Sequence, residues 1–208
     1  MIVTEEQARA FCANRLSPLA MERLDHLSAA LREESTRQNL VSTDSLDNVW
    51  VRHFADSAQL VDFGPRETGP WVDLGSGAGF PGLVLAIAQP GVDTVLIESR
   101  KRRVEWLMRC VHDLQLANCR ILGSKLENIE TFEAAVITAR AFAPLEKLLR
   151  LSARFSTSAT MWLLPKGRSA AQDLAGQPSW VRGMFHVKQS QVNHEAGILI
   201  GRGVARAP

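Results

Sequence analysis

Ten residues constrain this chain's fold more than any others: Asp73-Leu-Gly75-Ser-Gly77-Ala-Gly79-Phe-Pro-Gly82. Trp71-Val-Asp-Leu74, which runs into them, predicts a short strand. The run 81–89 after them predicts a helix, closed by Pro90-Gly91. Alternating glycines let the backbone take positive φ and let a ligand approach the main chain closely. Strand, glycine turn and helix in that order form the context of a nucleotide-binding turn. Pro81 is expected at the first helical position, where its fixed φ is preorganised. Glu98 lies 23 residues beyond Gly75, at the end of the next predicted strand, 94–98. A carboxylate there can accept hydrogen bonds from both hydroxyls of an adenosine ribose.

Strands continue to alternate with helices on either side of that turn. A helix is predicted over 101–116 with Val104, Leu107, Met108, Val111 and Leu114 on its apolar face. Strands follow at 119–122, 134–138 and 160–164, with a helix at 144–155 between the last two. A short helix near Ala170 and strands at 184–189 and 197–204 complete the pattern. Such alternation predicts an α/β fold, a doubly wound, mostly parallel sheet with helices on both faces. The first 62 residues read instead as helical. Leu16, Ala20, Leu24, Leu27 and Leu31 recur at three and four spacing, with Ser17 as cap and Pro18 first in the helix. A second helix is predicted over 45–61, with Leu46, Val49, Trp50, Phe54, Ala58 and Val61 on its apolar side. Residues 64–70 hold two glycines and two prolines and read as a boundary. The expected division is therefore an N-terminal helical extension, 1–64, packed on a core, 70–208.

A length of 208 residues with 46% apolar side chains suits one compact core with a short extension and excludes wholesale disorder. No apolar run is long enough to span a membrane, and residues 1–15 lack the apolar stretch of a secretory signal. Cys12, Cys110 and Cys119 are odd in number and widely spaced, neither a disulfide framework nor a zinc pattern. A cytoplasmic setting is expected. The five histidines show no metal-ligand spacing, so no metal is expected. Net charge is +2, but unevenly spread: −4 over 1–69, −1 over 70–137 and +7 over 138–208. A basic final third is a footprint of phosphate binding. The run Arg100-Lys-Arg-Arg103 reads as a solvated helix face, whereas Lys166 and Arg168 follow the fifth strand, on the edge where such sheets bind ligands.

The register of the glycines selects among nucleotides. Gly77-Ala-Gly79-Phe-Pro-Gly82 has the spacing of dinucleotide enzymes, but it starts two residues late relative to the strand. In register, the pattern is acid-x-G-x-G-x-G from Asp73 through Gly79, which resembles that of S-adenosylmethionine-dependent methyltransferases. Further runs make the resemblance specific: Asn39-Leu40, Arg52-His53-x-x-Asp56-Ser57, Ser124-Lys-Leu-Glu127, Arg140-Ala-Phe-Ala-Pro-Leu145 and Pro165-Lys-Gly-Arg168. Over nearly its whole length the chain resembles the bacterial 16S ribosomal RNA guanine-N7 methyltransferases, also called glucose-inhibited division protein B. It departs from them at Val41, where threonine is frequent, and at Lys125, where arginine is.

That resemblance implies S-adenosylmethionine as cofactor, held by Gly75, Phe80, Leu126, Glu127 and Arg140. The residues themselves add Gly77 and Gly79 at the turn and Glu98 at the ribose. It also implies 16S ribosomal RNA, or the small ribosomal subunit, as partner, with guanine 527 in RNA numbering as target. Arg52, His53, Lys166 and Arg168 are the candidate substrate-binding residues, and the protein is expected to be a monomer. Phe80, Phe142 and Trp162 are candidate walls for an unstacked base, with Trp162 more at home in the core. Guanine N7 bears a lone pair and no proton, so no catalytic acid or base is assigned. Two other readings stand beside this one. They are an NAD-dependent oxidoreductase using the offset glycines, which lacks a hydride-transfer constellation, and a non-catalytic RNA-binding assembly factor.

Overall fold

The computed structural model describes residues 2–65 and 69–205. Residues 66–68, inside the expected boundary 64–70, lie outside the described residues. Seven strands form one sheet: β1 (Trp71–Leu74), β2 (Thr94–Ile97), β3 (Cys119–Leu122), β4 (Val136–Thr138), β5 (Met161–Lys166), β6 (Phe185–Gln189) and β7 (Gly197–Arg202). Their order is β3-β2-β1-β4-β5-β7-β6. β1 to β5 pair in parallel, and β7 runs antiparallel between β5 and β6. The sheet is thus doubly wound and mostly parallel, as the alternation of elements predicts. Its order reverses between β1 and β4, the switch point outside which such sheets bind ligands.

Strand side chains alternate between two packed faces, because successive Cβ atoms point to opposite sides. Val72, Leu74, Val95, Ile97 and Ile137 join Leu145, Leu148 and Leu149 of the helix Leu145–Ser152 in one cluster. Leu96 points the other way. There it meets the helices Gly82–Ala88 and Lys101–Asp113 and, in the same cluster, the N-terminal helices. Three thiols, those of Cys12, Cys110 and Cys119, are buried in that second cluster. Burial pushes the Cys12 and Cys119 thiols up to about 12, and Cys110 is raised for the same reason. None is a nucleophile at neutral pH.

At the N-terminus, α1 (Glu5–Ala13) opens on a capping box between Thr4 and Gln7. α2 (Pro18–Ser35) carries the expected stripe: Ala20, Leu24, Leu27 and Leu31 are all buried. Ser17 Oγ accepts from Ala20 N at 3.2 Å, with Pro18 first in the helix. The predicted single helix 45–61 is instead broken. α3 (Thr43–Asp47) is capped by Ser42 and ends at Asn48. A π-helix then spans Trp50–Ala55, followed by a short α-helix, Asp56–Ala58, and a 3₁₀ turn, Gln59–Asp62. The apolar periodicity survives the break, because Val49, Trp50, Phe54 and Ala58 are all buried. Elsewhere two expectations need correction. Met108 is 58% exposed, because Trp106, Leu107 and Cys110 form the buried face of their helix. Pro81 lies just before the helix Gly82–Ala88 as its N-cap, after a cis Phe80–Pro81 peptide, rather than in its first turn.

Candidate active site

The carboxyl ends of β1, β2 and β4 carry the site. Gly75, Gly77 and Gly79 have φ of 66°, 57° and 105°, values that L-residues adopt only with strain. Two of these glycines are also sterically required. A Cβ on Gly75 would lie 2.4 Å from the Phe142 ring, and one on Gly79 would lie 2.4 Å from Leu83. Gly75 therefore faces Phe142 across the turn, whereas Gly79 packs inward. Trp106 Nε1 donates to the Ala78 carbonyl at 3.0 Å and holds the turn from below.

Glu98 is buried at the end of β2 and braces the turn. Its Oε2 accepts from Gly77 N at 2.9 Å, and its Oε1 accepts from Ser99 N and Arg100 N at 2.7 and 2.8 Å. A carboxylate has about four lone-pair sites, so this one can still accept from a ligand. Asp73, the acid that opens the motif, is fully buried beneath. Its Oδ2 accepts from Gly82 N at 3.2 Å, and burial raises its carboxyl to about 6. A Cβ on Gly82 would lie 2.7 Å from that oxygen, so glycine is required there for packing and not for ligand contact.

Two cavities open at this edge. The smaller, about 230 Å³, is lined by Leu74, Gly75, Glu98, Arg103, Leu126 and Phe142 among others. The larger, about 670 Å³, takes Arg52, His53, Asp56, Arg140, Lys166 and His194 into its wall. Ala141, with φ of 55°, lines both.

Arg140, just past β4, is the hub of the larger cavity. Its Nη1 donates to the Arg52 carbonyl at 3.1 Å and to Asp56 Oδ2 at 3.5 Å, and its Nη2 donates to His53 Nδ1 at 2.9 Å. His53 stacks on Phe80, with centroids 4.5 Å apart and planes 3° apart. Because Nδ1 accepts, the neutral ring carries its proton on Nε2, which is buried without a partner. Burial, reinforced by Arg140 and Arg52, drives His53 down to about 3, so the ring is neutral at physiological pH. Burial also raises Asp56 and lowers Arg140, each toward its uncharged form, against the attraction between them. Among the described residues, Ser57 Oγ, Asp73 Oδ1 and Thr138 Oγ1 are likewise buried without partners. Buried polar atoms seldom stay unpaired.

The expected site residues thus divide. Gly75, Glu98 and Leu126 line the smaller cavity, with Gly77 held to it through Glu98. Arg52, His53, Lys166 and Arg140 line the larger. Phe80 lines neither and supports His53 and Arg140 from behind, its ring 5.4 Å from the Arg140 guanidinium. Glu127 is exposed and lines neither cavity. Arg168 is 81% exposed and pairs with Glu195 at 2.6 Å, outside the cavity wall. Lys166 pairs with Asp173 at 3.5 Å. Of the candidate base walls, Phe142 lines the smaller cavity, and Trp162 is fully buried, its Nε1 donating to the Gly203 carbonyl at 2.9 Å. The basic run 100–103 is no plain solvated face, because Arg100 and Arg103 line the smaller cavity. Sequence reasoning gives no role to Ser42, Ser45 or Asn193, and considers His194 only as a metal ligand. All four line the larger cavity.

Among the described residues, no helix is long and apolar enough to cross a membrane, and no cluster of three His, Cys, Asp or Glu side chains could hold a metal ion. The fold is similar to that of a SAM-dependent methyltransferase from Aquifex aeolicus, with a TM-score of 0.58 at 16% identity, covering 82% of this chain and 98% of that one. It is also similar to MtNAS solved in complex with S-adenosylmethionine, with a TM-score of 0.56 at 14% identity, over 97% of this chain and 84% of that one. The architecture is therefore that of the Rossmann-like S-adenosylmethionine-dependent methyltransferases. A family model for rRNA small subunit methyltransferase G matches residues 20–197. A Ribosomal RNA small subunit methyltransferase G of Erythrobacter litoralis is 62% identical over 206 residues, 99% of this chain and 100% of that protein. Its counterpart in Novosphingobium aromaticivorans is 49% identical over 98% of this chain and 90% of that protein. The chain belongs to the rRNA small subunit methyltransferase G family.

Proposed function

We propose that this methyltransferase moves the methyl group of S-adenosylmethionine onto N7 of a guanine in 16S ribosomal RNA, guanine 527 in RNA numbering, by direct in-line attack. The reading is carried by one observation: two cavities of different character meet at Ala141 on the carboxyl edge of the sheet. One is built on backbone and a carboxylate, and the other is walled by Arg52, His53, Arg140 and Lys166.

The smaller cavity fits S-adenosylmethionine. Glycine at position 75 lets the backbone of the turn stand directly against the Phe142 ring in the cavity wall, and Glu98 retains acceptor capacity for a ribose. Leu126 offers an apolar side for an adenine, with Glu127 beside it. Gly77 and Gly79 fix the shape of the turn. Arg140, with Phe80 beneath it, stands between this cavity and the RNA side. When bound, S-adenosylmethionine supplies an electrophilic methyl group on a positively charged sulfur.

The work of this chain's residues is then to hold the base in line and exclude water. N7 carries no proton, so no side chain has to remove one. His53, held down at about 3, is neutral and unsuited to be a base at neutral pH, and serves to orient Arg140. As the guanine turns cationic, the Asp56 carboxylate in the cavity wall can stabilise it. Arg52, Lys166 and Arg168 supply phosphate contacts. We place residues 1–64 as an extension on a core of 70–208. We propose a monomer acting in the cytoplasm, where small subunits are found.

The test is methyl transfer to 16S ribosomal RNA, offered naked and as the assembled small subunit, with the modified base mapped. A 7-methylguanine at the proposed position is expected. Affinity for NAD without affinity for S-adenosylmethionine would overturn the reading, and RNA binding without transfer would favour an assembly factor. Single-turnover rates should be flat between about pH 6.5 and 8. Over that range His53 stays uncharged, and any change in rate near the lower end follows the Asp73 carboxyl, raised by burial to about 6, rather than a histidine base.

A further inference from the structure

The break in the helix before Arg52 has a specific brace. Asn48, at φ −116° and ψ 41°, ends α3, and the chain restarts as the π-helix Trp50–Ala55. The first N–H groups of a helix have no partner within it. Here Trp50 N donates to Glu5 Oε2 at 3.1 Å, and Val51 N donates to Glu5 Oε1 at 2.9 Å. A carboxylate from 45 residues away thus supplies the bonds that the interrupted helix lacks, and its charge suits a helix start. Glu5 is itself fixed at the first helical position by the capping box, in which Gln7 Oε1 accepts from Thr4 N at 3.3 Å and Thr4 Oγ1 accepts from Gln7 N at 3.1 Å. Arg9, one turn on from Glu5, lays its guanidinium 4.7 Å from the Trp50 ring.

Just beyond this brace come the residues that face the larger cavity. Arg52 and His53 are the next two in the chain, and Asp56 follows. Ile2 and Val3, just before Glu5, line the same cavity, with Val3 63% exposed. The family model begins at residue 20, so Glu5 lies outside the stretch that it matches, whereas Trp50 and Val51 lie within it.

We propose that Glu5 is a positioning residue for the RNA-side cavity: through the Trp50 and Val51 N–H groups it sets the pose in which Arg52 and His53 meet the substrate. The proposal rests on the methyltransferase reading for what the cavity receives. A purely structural role for Glu5 would weaken the whole protein and both ligands together. A positioning role separates them, because the smaller cavity takes no residue from α1 or the π-helix.

The test uses the full chain as Glu5→Ala, Glu5→Gln, Arg52→Ala and the double variant of Glu5→Ala with Arg52→Ala. S-adenosylmethionine affinity is measured by calorimetry, and 16S ribosomal RNA affinity over a salt series. Glu5→Ala should weaken RNA binding about tenfold, the scale of losing a charge-assisted hydrogen bond, and leave S-adenosylmethionine affinity within about twofold. Its salt slope should fall by about one, as for a lost phosphate contact. Adding Arg52→Ala should cost little more, because the two act on one contact. Glu5→Gln keeps one acceptor oxygen and should fall between wild type and Glu5→Ala. It carries the same comparison should Glu5→Ala fail to fold. Additive losses, an unchanged RNA affinity, or an equal fall in both ligands would overturn the proposal. Because binding is read without turnover, a wild-type protein that binds RNA yet transfers no methyl group would sink the methyltransferase reading alone.

Discussion

The two cavities at the sheet edge are built by different means. The smaller is made from strand ends and the segments that leave them: Leu74 and Gly75, Ile97 to Arg100 with Arg103, Ser124 and Leu126, and Ala141 with Phe142. Much of its shape is backbone, fixed by positive φ at Gly75, Gly77 and Gly79 and by Glu98 gripping the Gly77 N–H. The larger is an assembly of distant side chains, from Ile2 and Val3, Ser42 and Ser45, the π-helix, Arg140, Lys166 and the segment after β6. No short stretch of chain contains it. A backbone-built pocket tolerates little change of sequence, because a glycine at positive φ has no substitute free of strain. A pocket of side chains on several elements can alter its partner by altering any one of them, at the cost of depending on how those elements pack.

The sharpest way to break that contrast is Gly75→Ala. Its Cβ would collide with Phe142 at 2.4 Å, and its φ of 66° is strained for alanine. S-adenosylmethionine affinity should fall about a hundredfold, equivalent to about 3 kcal/mol, while RNA affinity by filter binding stays near wild type. A parallel loss of RNA binding would show that the two cavities are not separately built.

Arg140→Lys probes the seam. Lysine keeps the charge but cannot reach Asp56, His53 and the Arg52 carbonyl with one planar fork. The chemical rate in single turnover should fall between about tenfold and a hundredfold, the scale of a misplaced reacting group. Both binding affinities should change less than the rate. An unchanged rate would mean that the network does not position the substrate.

The smallest expected effect separates two neighbours. Lys166 lines the larger cavity, whereas Arg168 is exposed and paired with Glu195. Lys166→Ala should weaken RNA binding and lower the salt slope by about one. Arg168→Ala should cost less in affinity, because its partner and solvent already compete for the charge. A larger effect at Arg168 would place the RNA path outside the cavity, across the Glu195 loop.

Much of this was legible before any coordinates. The glycine turn, Glu98 just past β2, and the leucine stripe of α2 with its Ser17 cap all follow from local pattern. The helix break at Asn48 was not legible. Residues 45–61 keep an apolar periodicity across it, and the carboxylate that completes the π-helix stands at Glu5. Nor did the sequence reveal that Arg168 turns outward while Lys166, two residues earlier, faces the cavity. Arg100 and Arg103 read as solvent-facing charges because their run opens a helix, yet both line the smaller cavity beyond the end of β2.

By itself the sequence determined the strands, the helices that alternate with them and the glycine turn. Those features depend on interactions within about ten residues of chain, such as φ at a glycine, a cap three residues from its partner and the alternation of a strand. The tertiary structure alone decided the larger cavity. His53 is neutral and Arg140 is committed because burial and three neighbours from another segment make them so. Desolvation depends on what packs above a residue, and pairing on what arrives from elsewhere in the chain. A linear pattern carries neither.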